Sequence, residues 1–146
     1  MEKITDSVQS HTITTAYAGE DDSIYYVIVR RKKLFPTMYN FFALGLVYGI
    51  LHNTKSTKPR RNDIIRLEQI HDETIIDVID ICYMILNDGR EEKEILNDML
   101  SYADGGVVEL NKIYEKNASF QLPLLIEDSK KIWNTRVKEL NNINLK

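Results

Sequence analysis

The chain has 146 residues, 43% of them hydrophobic and 28% charged, with a formal net charge of −3. That length can bury a core without disulfide or metal staples, and the composition excludes a disordered tail, a collagen-like repeat and a disulfide scaffold. The single cysteine, Cys82, lies in an apolar run with Ile79, Ile81, Tyr83 and Ile85. It cannot form an internal disulfide, so a reducing compartment and a packing role are expected.

Residues 1–22 read as a weakly structured arm, with no hydrophobic signal segment at the start and the acidic turn Gly19-Glu20-Asp21-Asp22 at the end. Residues 23–31, with Ile24, Tyr25, Tyr26, Val27, Ile28 and Val29, have the β-branched and aromatic composition of a strand covered on both faces. Thr12 to Tyr17 could pair with it across the acidic turn. Pro36 then suits the first turn of a helix over 36–52, since its missing N–H costs nothing there.

That helix is apolar around its whole circumference, which predicts a central, buried element. The apolar stretch 34–51 falls short of the about 20 residues a bilayer span requires and is interrupted by Pro36, Thr37 and Asn40, so a soluble, cytoplasmic protein is expected. Gly45 and Gly49 form a G-x-x-x-G spacing that lets another helix approach closely, in this chain or in a second copy.

Residues 53–61 read as a loop, and Asn62 or Asp63 could cap a second helix through Ile64, Ile65, Leu67 and Ile70. A third helix is predicted over 73–86, stopped by Asn87-Asp88-Gly89, with Ile75, Ile76, Ile79, Cys82, Tyr83 and Leu86 on one face. A fourth is predicted over 91–103, with Glu91, Glu92 and Glu94 at the positive end of its dipole. Gly105-Gly106 should break the chain before a fifth helix over 107–116, and a last helix begins near Pro123. The expected fold is mainly α: one domain over 1–146, a bundle of about six helices within 36–142, and a small N-terminal β element.

The charge distribution is the most informative feature for function. Arg30, Arg31, Lys32, Lys33, Lys55, Lys58, Arg60 and Arg61 fall between residues 30 and 62 with no acid among them, a local charge of +8. Residues 63–109 carry −10. Such a basic window can meet phosphates, an acidic protein partner, or this protein's own acidic helices, and otherwise is a solvated face.

Catalytic signals are weak. Glu73, Asp77 and Asp80 share a helical stripe that could hold a divalent cation, but projection sets them opposite the apolar face, where acids stay solvated. His11, His52 and His71 lack zinc spacing, and no nucleophile elbow, P-loop or dinucleotide fingerprint occurs. No enzyme activity, metal or other cofactor is therefore expected. Asp104-Gly105-Gly106 stands out as a possible interaction loop that offers free amides to a partner.

Three segments carry a resemblance. Leu34-Phe35-Pro36-Thr37 leading into Phe42-Ala43-Leu44-Gly45, then Asp63-Ile64-Ile65-Arg66-Leu67, then Tyr102-Ala103-Asp104-Gly105-Gly106-Val107-Val108-Glu109-Leu110 resemble, in that order and over about 34–126, the bacterial dnd system-associated protein 4 family. The resemblance implies an accessory protein near DNA phosphorothioation and its linked restriction defence, and it transfers no catalytic residue. The leading expectation is a non-catalytic adaptor in anti-phage defence acting by protein contact. The alternative is a small DNA-binding protein of ribbon-helix-helix type that uses the basic window, although neither face of 24–29 has the polar residues of a base-reading ribbon.

Overall fold

A computed structural model describes residues 11–118, 130–135 and 138. Among these, the order is β1 (Thr12–Thr15), a π-helical turn (Tyr26–Arg31), α1 (Met38–Leu51), β2 (Asn62–Arg66), a 3-10 turn (Leu67–Gln69), α2 (Glu73–Leu86) and α3 (Glu92–Asn117). The fold is mainly helical with a two-stranded sheet, as the sequence led us to expect.

The centre of the molecule is the crossing of α1 and α3. Thr37 caps α1, its hydroxyl accepting from the Asn40 amide at 3.2 Å, and Phe41, Leu46 and Ile50 are fully buried. Gly45 and Gly49 sit on the face toward α3. A Cβ on Gly45 would come within 2.9 Å of the Ala103 carbonyl oxygen, and one on Gly49 would overlap the Tyr102 carbonyl. From the other side, a Cβ on Gly106 would overlap the Gly45 carbonyl, and one on Gly105 the Thr54 carbonyl. Two backbones therefore touch with no side chain between them. The expected close approach is present, but its partner is α3 of the same chain, so these glycines are not free to form a homo-oligomer contact.

Gly105-Gly106 does not break the chain: the two helices expected over 91–103 and 107–116 are one continuous α3. Glycine costs a helix about 1 kcal/mol per residue, and here that cost is offset by the backbone contact only glycine permits.

Two further expectations are corrected. Residues 23–31 are not a strand: Tyr25, Ile28 and Val29 are buried at helical spacing, and the turn widens so that the Lys32 amide donates to the Val27 carbonyl at 2.9 Å. Residues 62–66 are not a helix, because β1 offers the β-branched Ile64 and Ile65 a sheet partner. The antiparallel register is Thr12 with Arg66, Ile13 with Ile65, Thr14 with Asp63 and Thr15 with Asn62, leaving Ile64 as the extra residue of a bulge. Of the arm expected over 1–22, residues 1–10 lie outside the described residues, and residues 11–22 are no loose arm: Ile13, Thr15 and Ala18 are buried.

The helix over 73–86 is present as expected, with Asp72 accepting from the Thr74 amide at 3.0 Å as its cap. Asp80, however, is buried rather than solvated. The helix expected from Pro123 lies largely outside the described residues, of which 130–135 are helical.

Candidate functional site: a cationic turn beside an apolar groove

The structure divides the eight basic residues of the window into two groups with different fates. The loop between α1 and β2 folds back over α3. Lys55 pairs with Asp98 at 3.3 Å while its ammonium lies 4.9 Å from the centre of the Tyr102 ring. The Lys58 ammonium lies 5.1 Å over the Tyr17 ring, and the Arg60 guanidinium donates to Ser101 Oγ at 3.0 Å and to Asn97 Oδ1 at 3.3 Å. The Ser56 amide donates to the Ser101 carbonyl at 3.0 Å and fixes the loop to the helix. Lys55 and Arg60 thus meet the protein's own acidic helix, one of the destinations open to them from sequence. Arg61 stays exposed.

Asp98 serves this arrangement from α3. Burial alone would raise its carboxyl, but hydrogen bonds from Arg90 at 2.6 Å and then the Lys55 charge outweigh it and hold the group below the usual carboxylate range.

The other group, Arg30, Arg31, Lys32 and Lys33, crowns the end of the π-helical turn, and all four side chains are exposed. Arg30 lies 4.9 Å over the Tyr26 ring, and no carboxylate among the described residues pairs with any of the four. Lys33 adopts φ 52°, the left-handed region, which lets the Leu34 amide reach the Ile28 carbonyl at 3.1 Å and close the turn. A side chain with a Cβ pays for that conformation in steric strain.

Beside this turn lies an open groove of about 710 Å³. It is lined by Val29, Arg30 and Lys33, by residues 35–39, and by Ile64 and Ile65 of β2. In a regular strand, consecutive side chains point to opposite faces; at the bulge both isoleucines line the groove. The sequence marked Arg30 and Lys33 but missed the apolar half, because the bulge depends on pairing with a strand some fifty residues earlier.

Asp104, Gly105 and Gly106 are not an interaction loop: they lie buried in the middle of α3. Asp104, 1% exposed, accepts from the Thr15 hydroxyl at 2.5 Å and from the Ala16 amide at 3.0 Å, tying the N-terminal segment to α3. Burial raises its carboxyl above the ordinary value, against the opposing hydrogen bonds and the charges of Arg60 and Lys58. Tyr25 is fully buried, and burial and then the Asp104 charge hold its phenol well above the usual range, against the opposing interaction with the Thr15 hydroxyl.

Burial pushes the Cys82 thiol up to about 12, the opposite of what a nucleophile needs. Among the described residues no three His, Cys, Asp or Glu side chains converge to hold a metal ion, and no helix is long and apolar enough to cross a membrane. Comparison with protein-family models, curated proteins and solved structures gives no match.

Proposed function

We propose that this protein is a non-catalytic binding subunit that docks an acidic face of a partner protein on the turn Arg30–Lys33. One observation carries the reading: in a chain of net charge −3, four adjacent cations face solvent with no carboxylate paired to them among the described residues, while Lys55 and Arg60 are engaged on α3 and Lys58 lies over the Tyr17 ring. A cationic patch of this kind steers and selects an oppositely charged partner. The anti-phage setting is supported by the resemblance of the 34–45 and 102–110 segments to the dnd system-associated protein 4 family. A ribbon-helix-helix reading is weaker, because the ribbon it requires at 24–29 is helical.

The test is capture from native host extract with identification by mass spectrometry, followed by reconstitution with the purified partner. Replacing all four cations with glutamate should abolish the reconstituted complex and leave melting unchanged. Retention of the complex would refute the reading. A shift of duplex DNA that weakens steeply with salt would transfer the turn to a phosphate partner.

A further inference from the structure

We propose that the groove takes an extended segment of the partner, in which apolar residues alternate with carboxylates, laid along the free edge of β2. The inference rests on the protein-docking reading above and specifies what that partner presents.

The free edge comes first. Among the described residues the sheet has two strands, so β2 pairs with β1 on one side only; its Arg66 amide donates to Gln69 Oε1 at 3.3 Å, and the groove is lined by Ile64 and Ile65 but by no described residue of β1. An unpaired edge beside a groove is the arrangement that accepts an added strand: main-chain hydrogen bonds supply affinity, and the groove selects alternate side chains. The groove's volume falls within the range of about 300–1,000 Å³ typical of binding clefts, enough for several aliphatic side chains of a segment.

Charge identifies the rest of the occupant. Arg30 and Lys33 line the groove and Arg31 and Lys32 lie in the same turn, whereas no acidic side chain among the described residues lines it. Apolar residues of a segment would sit against Phe35, Met38, Ile64 and Ile65 while its carboxylates meet the cationic rim. The rim is also where the backbone departs most from ordinary helix, with six π-helical residues and Lys33 at positive φ. Strain of this kind concentrates where a surface is held ready for a ligand.

The experiment is fluorescence anisotropy on the full chain with fluorescein-labelled decapeptides. The probes are alternating Glu-Val, alternating Lys-Val, deca-Glu, and two forms of Glu-Val N-methylated at alternate amides, one form for each register. Glu-Val should bind more tightly than deca-Glu and Lys-Val, by about tenfold or more. One N-methylated form should bind at least about tenfold more weakly than the other, since only alternate amides of an added strand face β2. The double variant Arg30→Glu with Lys33→Asp, whose folding is checked by circular dichroism, should lose Glu-Val binding to a similar degree.

If both N-methylated forms bind alike, strand addition is overturned while charge-driven docking survives. Equal binding of Glu-Val and deca-Glu removes the groove from the interaction. Preference for Lys-Val, or for a labelled single-stranded oligonucleotide, overturns both readings. Absence of Glu-Val binding at millimolar concentration overturns this inference, and the reconstitution above then decides the docking reading independently.

Discussion

Asp104 shows how much one buried side chain can hold. Asp104→Ala would leave the buried Thr15 hydroxyl and the Ala16 amide without their acceptor, and we expect a loss of about 2–4 kcal/mol in urea unfolding. Because burial raises the Asp104 pKa in the folded state, its contribution to stability is greatest below the unfolded value and is lost as pH rises through the folded one. The difference in unfolding free energy between the native chain and Asp104→Asn should therefore move against the native chain as pH rises from below 3.8; no movement, or the opposite sign, would refute the raised value. Cys82 makes a second residue-scale prediction. With its thiol near 12 rather than 9.0, the thiolate fraction at pH 8 falls about a thousandfold, so iodoacetamide should label it only on unfolding. The packing role of Cys82 was legible in its apolar neighbours. The role of Asp104 was not, because its partners lie about ninety residues away and nothing local to 102–107 reveals them.

Among the elements, the glycine crossing and the docked loop yield the sharpest contrasts. Gly49→Ala and Gly106→Ala drive a Cβ into backbone carbonyls that cannot step aside, whereas Gly45→Ala meets the Val107 side chain first. All three should destabilise by about 1–3 kcal/mol or more, with Gly45→Ala the mildest, measurable as shifts in the denaturant midpoint. Reversing charge in the loop separates its two arginines. Arg60→Glu removes hydrogen bonds to Ser101 and Asn97 and should lower the melting temperature, while exposed Arg61→Glu should change stability by no more than about 0.5 kcal/mol. Pro36 and the apolar run made α1 readable almost to its ends, and the periodic apolar face with the Asn87-Asp88-Gly89 stop did the same for α2. They failed wherever a distant partner overrode local preference: Ile64-Ile65 became strand because β1 was available, and Gly105-Gly106 stayed helical because α1 required contact without side chains. The strand expected at 23–31 failed differently. Its burial at 25, 28 and 29 is a helical spacing that β-branched composition masked.

For the whole molecule, the segment 11–22 is part of the fold rather than an appendage. β1 is held by β2 on one side and, through Thr15 and Ala16, by α3 on the other. Hydrogen exchange should give the protected amides of β1 and β2 nearly the same opening free energy as those of α3 around Leu110, since all open in one cooperative unit. Exchange of β1 at the rate of free peptide would show that it is an independent arm. The polarity hidden within a net charge of −3 was legible as a sequence map, yet its use was not. Only the folded loop shows that Lys55 and Arg60 are engaged on α3 while the turn at 30–33 faces outward.

The pairing of β1 with β2 also sets an order of events during synthesis. Thr12–Thr15 leaves the ribosome about fifty residues before Asn62–Arg66, and almost ninety before Asp104. At roughly 5–20 residues per second the first strand waits about 3–10 s for its partner and longer for its anchor on α3. During that interval its edges are unpaired, and Ile13 has no core to enter. The nascent chain is therefore most exposed to misassembly before β2 emerges, and slowing translation just upstream of residue 62 should lower the yield of native protein more than slowing it after α3 is complete.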